Sequence, residues 1–235
     1  MIMKGERKMK KISKLLLVLF AILLLVGCGK KEEIKEDTLP KPQVSSGQRG
    51  ELGIDKNINE STIDEYLGRE DAVYRDMRML IDPANYGAMK EEGGDAYLSG
   101  FVKGFEVVPL PYLINVTGLP EAVGDTYKGK TLFTQNEDGT YTANYKESQD
   151  ILEYLFPKDK TIFLMCGGGG YAGMTKALLV AQGWDADKIY NTGGYWYYNG
   201  KNKVEVKRVV DGETSYDFWK VAYHDIDFES LHEVK

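Results

Sequence analysis

Apolar positions along this chain come in short unbroken or alternating runs, separated by stretches with helical spacing. Ile162 to Met165 is one such run and predicts a buried strand, while Met174 to Gln182 carries its apolar residues at helical intervals. Upstream, Asp71 to Arg78 and Phe105 to Val108 predict two more strands, the second stopped by Pro109 and Pro111. Tyr145 to Phe156 places Ile151, Leu152 and Leu155 on one helical face, and Lys188 to Asn191 predicts a further strand. This alternation predicts an α/β domain: a small, doubly wound, mostly parallel sheet with helices on both faces. Two additions interrupt it. Leu132 to Thr142 flanks Asp138-Gly139 with alternating residues, and Val204 to Val210 runs into Asp211-Gly212, so each predicts a hairpin. Tyr216, Phe218, Trp219 and Tyr223 are too aromatic for a disordered tail, and predict an extension over 201–235 packed on the domain.

The beginning of the chain has a different pattern. Lys4, Arg7, Lys8, Lys10, Lys11 and Lys14 precede an apolar run from Leu15 to Val26. As a helix that run spans about 18 Å against about 30 Å of hydrocarbon, so it predicts a signal-peptide core over residues 1–27 rather than a membrane span. It ends Leu25-Val26-Gly27-Cys28, which resembles the lipobox of bacterial lipoproteins. The resemblance implies lipidation at Cys28 and an anchor on the extracytoplasmic face of the cell membrane. From Gly29 to about Asn59 the chain is charged, punctuated by Pro and Gly and without periodicity, which predicts a flexible tether over 28–60 and a folded domain over 61–200.

Charge and cysteine usage narrow the chemistry. Removing residues 1–27 takes away six basic and one acidic side chain, moving the net charge from −6 to −11. Such an acidic protein is repelled by phosphate backbones, so no nucleic-acid partner is expected. With Cys28 lipidated, Cys166 is the only thiol left and has no partner for an internal disulfide. The two histidines, His224 and His232, form no cluster with metal-ligand spacing, so neither a metal site nor a cofactor is expected.

Cys166 closes the apolar run 162–165 and opens Gly167-Gly168-Gly169-Gly170-Tyr171-Ala172 before the next helix. Amides of a tight strand-to-helix loop converge on an anion, and the helix N-terminus favours negative charge. A solvent-facing loop with a thiolate populated near neutral pH is the expectation. Four successive glycines argue against an inert buried cysteine, because each costs roughly 0.5–1 kcal/mol relative to alanine in regular structure.

Four segments in order resemble the rhodanese (sulfurtransferase) family. They are Asp76-Met-Arg78 at a strand end, Gly100-Phe-Val-Lys-Gly104 through Pro109, Cys166 with its glycine loop and Gly183-Trp184, and Asn191-Thr-Gly193-Gly194. The match spans roughly Ser61 to Gly200. It implies a rhodanese-like doubly wound fold, with Cys166 as nucleophile carrying a persulfide and the amides of Gly167 to Ala172 cradling it. A small sulfur donor, or a protein persulfide or thiol acceptor, would be the partner. Asp76 and Arg78 are read as a structural ion pair with a possible supporting role at the site. The loop departs from the family pattern: Gly167 and Tyr171 stand where many members carry cationic or hydroxyl residues. Anionic donors such as thiosulfate therefore lose a charge-assisted bond worth ~1.5–3 kcal/mol. The alternative is a catalytically weak or inactive rhodanese-like binding module. A Cys-based phosphatase would need an arginine on the oxyanion, and six residues past Cys166 stands Ala172. Of Tyr195, Trp196, Tyr197 and Tyr198, two are expected to wall the pocket and two to pack.

Overall fold

Strand β1 (Ala72–Asp76) pairs in parallel with both its neighbours, and its residues alternate between two differently covered faces. The computed structural model describes residues 38–79, 100–116, 127–217 and 226–235, with the side chains of 205–210 and 213–217 excepted. Among them, helix α1 (Gln48–Glu51) precedes β1, and β2 (Gly100–Val102), β3 (Glu106–Val107) and α2 (Leu110–Leu113) follow. Next come β4 (Phe133–Gln135), β5 (Tyr141–Ala143), α3 (Ser148–Leu155), β6 (Thr161–Cys166), α4 (Gly170–Ala181) and β7 (Ile189–Gly194). The hairpin strands β8 (Lys203–Val210) and β9 (Glu213–Asp217) come last.

The chain is thus α/β, built on an all-parallel four-stranded sheet in the order β3-β1-β6-β7. From β1 the next strand of this sheet lies to one side, at β3; from β3 the chain crosses to β6 and then to β7 on the other. The winding direction therefore reverses between β1 and β6. Ligands of open α/β sheets bind beyond the strand ends at such a reversal. Asp76 ends β1 and Cys166 ends β6.

One face of the sheet is aliphatic and helix-covered. Ile162, Leu164 and Cys166 join Leu152 and Leu155 of α3 and Leu178 and Leu179 of α4 in a single buried cluster. The other face carries an aromatic ladder. Tyr74, Phe163 and Tyr190 are register partners on adjacent strands, with centroids 5.2 Å apart in each pair. Offset rings across neighbouring strands each add roughly 0.5–1.5 kcal/mol beyond burial. Helices were expected on both faces. Among the described residues, α3 and α4 lie on the aliphatic face, because both connections, β3 to β6 and β6 to β7, run the same way. The aromatic face is met by the turn after Ile63, whose Tyr66 carbonyl accepts from the Tyr74 hydroxyl at 2.5 Å.

The tether expectation needs correction over residues 41–60. The compact unit begins at Lys41, and Ile54 and Ile58 are buried at 2% and 0% exposure. Asp55 N donates to the Asn191 carbonyl at 2.8 Å, so this segment covers the outer edge of β7. The Asp55 carboxylate accepts from the amides of Gln43, Asn57 and Ile58 and closes the turn. Short polar connections disguised two core residues. Residues 28–37 of the expected tether, and the lipobox with Cys28, lie outside the described residues.

Both hairpins form. Asp211 and Gly212 take φ of 53° and 84°, the pair of left-handed residues that a two-residue β8–β9 turn requires. Residues 226–235 pack on the domain: Phe228 meets Tyr112 and Tyr145, and Glu233 bridges to Tyr145. Phe218, Trp219 and Tyr223 lie outside the described residues, as does the Tyr216 side chain.

Candidate active site

Cys166 sits where the β6–β7 ladder slips. Leu164 pairs with Asn191, yet Cys166 pairs with Gly194, so a bulge turns the strand end out of register. The loop that follows is tight enough to bring the Gly169 amide back onto the thiol, with N to Sγ at 3.0 Å. Gly169 holds φ of 104° and caps α4, a conformation that a side chain strains. The amides of Tyr171 and Ala172, in the first turn of α4, also favour charge on the sulfur.

These donors do not decide its titration. Cys166 is 3% exposed, and burial pushes the thiol above the ordinary cysteine range, with Asp76 adding a like-sign repulsion. A solvent-facing loop and a thiolate depressed toward neutral pH were expected, and both expectations are overturned. Cys166 belongs to the core cluster with Leu164, Tyr171 and Ala172, and the loop that follows it lies under the turn after β7. Trp196 donates its backbone N–H to the Gly167 carbonyl at 3.1 Å and lays its indole on the loop. A methyl group on Gly167 would stand 2.7 Å from Trp196 Cζ2, and one on Gly168 3.3 Å from Cζ3. Only bare backbone at these two positions lets the ring lie so close.

The aromatic quartet divides evenly. Tyr195 and Tyr198 are buried, whereas Trp196 and Tyr197 are 59% and 56% exposed. Tyr198 is fixed by donating to Asp64 at 2.5 Å, and burial together with that carboxylate pushes its pKa up to about 12. Tyr195 carries the Arg78 guanidinium at 4.5 Å and the Lys203 ammonium at 5.0 Å from its ring centre.

Asp76 and Arg78 form a fully buried ion pair at the end of β1. Arg78 Nε lies 2.8 and 2.9 Å from the two carboxylate oxygens, its Nη2 also donates to Asp76, and the same Nη2 reaches the Gly100 carbonyl at 2.9 Å. The pair therefore ties β1 to β2 beside the reversal point, with the carboxylate within electrostatic reach of Cys166.

Several residues at this site escaped the sequence reading. Arg49 lies 4.1 Å over the Tyr197 ring, pairs with Glu60 at 2.8 Å and stands beside Gly193, so a cation lies at the end of β7 although none lies within the loop. Ile54 Cδ1 would be 2.7 Å from a methyl group on Gly169. Their one sequence signal was Ile54 and Ile58, four apart inside an otherwise polar stretch. Among the described residues no group of three His, Cys, Asp or Glu is placed to hold a metal, and no helix is long and apolar enough to cross a membrane. No family model matches this chain, and neither a curated protein nor a solved structure matches it.

Proposed function

We propose that this chain is a rhodanese-like sulfurtransferase or persulfide carrier, tethered to the extracytoplasmic face of a membrane by lipid on Cys28. The observation that carries the reading is the Gly169 amide at 3.0 Å from Cys166 Sγ, with the Tyr171 and Ala172 amides directed at the same atom. A cysteine serving only as core filler has no use for converging donors. In the reaction, the Cys166 thiolate attacks the outer sulfur of a persulfide R–S–SH. The donor S–S bond breaks, R–S⁻ leaves, and Cys166 holds the sulfur as Cys–S–SH. An acceptor thiolate then takes the outer sulfur and returns Cys166 as thiolate. The amides stabilise charge on both sulfurs in turn. Without a cation inside the loop, organic or protein persulfides suit the site better than thiosulfate.

A second reading, a binding module without turnover, is favoured by the burial of Cys166 and its raised pKa. One experiment separates the two: intact mass of the folded protein after exposure to an organic persulfide and, separately, to thiosulfate. A species about 32 Da heavier, absent in Cys166→Ser, is the expected product. Its absence with both donors would leave the binding module.

A further inference from the structure

Asn191 stands on β7 as the register partner of Leu164, and its side chain is 1% exposed. Both of its N–H donors are used and its oxygen accepts one bond. Nδ2 donates to the Gly169 carbonyl at 2.9 Å and to the Leu52 carbonyl at 2.9 Å, while Oδ1 accepts from Gly193 N at 3.0 Å. These three partners belong to separate pieces of chain. Gly169 is the residue whose amide touches Cys166 Sγ; its carbonyl also receives the first helical bond of α4, from Gly173 N at 3.0 Å. Leu52 belongs to the segment that covers the edge of β7. Gly193 begins the Gly-Gly that leads into the Trp196 turn.

The Leu52 carbonyl occupies a notch made by a missing side chain. A methyl group on Gly173 would lie 2.3 Å from that oxygen, closer than any contact allows. The glycine inside α4 is otherwise a local weakness of roughly 1 kcal/mol against alanine, so the notch accounts for it. Ile54 adds an apolar contact from the same segment onto Gly169.

From this arrangement we propose that Asn191 is a positioning residue for Cys166, which orients the Gly169 peptide on the sulfur and makes residues 49–58 part of the site. The role in sulfur transfer rests on the function proposed above; the orientation of Gly169 does not. The side chain touches neither the sulfur nor a substrate. It acts by holding the Gly169 carbonyl, one φ/ψ pair away from the N–H of the same residue, and so restricts the wide backbone freedom that a glycine at positive φ otherwise keeps. The other groups acting on the sulfur, the Tyr171 and Ala172 amides and the Asp76 carboxylate, are left in place when Asn191 is changed.

Two variants in the full chain test this, Asn191→Ala and Gly173→Ala, by amide hydrogen exchange and by persulfide formation with an organic persulfide donor. Asn191→Ala should speed exchange of the Gly169 amide about fivefold or more, with the β6 amides of Phe163 and Leu164 unchanged; fivefold is the equivalent of one net hydrogen bond of ~1 kcal/mol. Gly173→Ala is compatible with a helix and expels the Leu52 carbonyl while leaving the Asn191 side chain intact. It should speed Gly169 exchange in the same direction by a smaller factor. In both variants kcat for persulfide formation should fall with KM little changed, a split that a loss of global stability alone does not produce. Unchanged Gly169 exchange in Gly173→Ala overturns the coupling, even if Asn191→Ala fails to fold. A wild-type protein that forms no persulfide but shows the exchange pattern refutes the sulfurtransferase reading and leaves Asn191 as the residue that orients Gly169.

Discussion

Replacing Arg78 by methionine removes a guanidinium that is 0% exposed from a carboxylate that is 1% exposed on its side chain. The Asp76 carboxylate then keeps its backbone bond from Arg78 N at 3.1 Å but loses every guanidinium donor, and the Gly100 carbonyl loses the bond that joins β2 to the pair. Breaking a buried ion pair by deleting one partner costs about 3–5 kcal/mol, since the remaining charge is stranded away from water. Asp76→Asn should cost less. It strands the cation, yet an amide oxygen still accepts at one of the carboxylate positions, and the Gly100 bond survives. The double variant should recover much of the loss, because the stranded charge is gone in both directions. Urea unfolding at pH 7 reads this directly: with a slope of about 1–3 kcal/mol/M, a loss of 3 kcal/mol lowers the midpoint by roughly 1–3 M. Single variants that each cost under 1 kcal/mol, or that add in the double, would refute the claim that this pair is an energetic joint between β1 and β2. Asp76→Asn carries a second readout at the sulfur. Removing the carboxylate removes a repulsion that raises the Cys166 thiol, so the midpoint of its alkylation should move to lower pH.

Gly167→Ala drives a methyl group into the Trp196 ring rather than into backbone, so the half-exposed indole should swing away; iodoacetamide should then alkylate Cys166 faster in a protein of near-native stability, and an unchanged rate would mean that Trp196 does not cover the thiol. Gly194→Ala meets the Gly167 carbonyl at 2.1 Å, so it should lower the thermal midpoint by several degrees where Gly167→Ala does not. Because the folded-state pKa of Cys166 is raised, its contribution to stability is present below the ordinary cysteine value of ~8.5 and is lost as pH rises toward the folded value; the alkaline decline in stability should flatten in Cys166→Ala. Cys28→Ala should abolish lipid attachment, read as release of the protein from membranes after a high-salt wash.

The parallel sheet was legible because its strands are buried on both faces and read as dense apolar runs, while α3 and α4 show the helical period between them. Both hairpin turns were legible from Asp-Gly alone. The covered edge of β7 was not. Residues 44–60 carry three glycines, two serines and five charged groups, a composition that reads as a linker, and their order comes from contacts more than a hundred residues away in sequence: Asp55 and Leu52 with Asn191, Ile54 with Gly169. Helix periodicity also placed the start of α4 at Met174, because Gly170 to Gly173 has poor propensity; packing of Tyr171 and Ala172 in the core extends the helix to Gly170. The loop's amide geometry followed from the glycine run and the helix that comes next. Its burial did not, since it comes from packing with α3, α4 and the turn after β7, elements distant from Cys166 or read separately from it.

That separation between the amides and their cover has a chemical consequence. Converging donors and a helix N-terminus lower the free energy of a thiolate, whereas burial and the Asp76 carboxylate raise it, and in the closed arrangement the second pair prevails. Were Trp196 to move off Gly167 and Gly168 and admit water, the desolvation penalty would fall while the three amides, which belong to the loop backbone and the first turn of α4, stayed in place. The balance would then tip toward charge on the sulfur. On the function proposed above, access to the sulfur would depend on an exposed side chain, the indole, and its donor geometry on a buried one, Asn191. Under the function and location proposed above, a protected resting thiol would suit a cysteine facing oxidants, which consume a permanently exposed thiolate. The two controls are separable by mutation: Gly167→Ala should raise access without altering the Gly169 amide, and Gly173→Ala should loosen that amide without moving the indole.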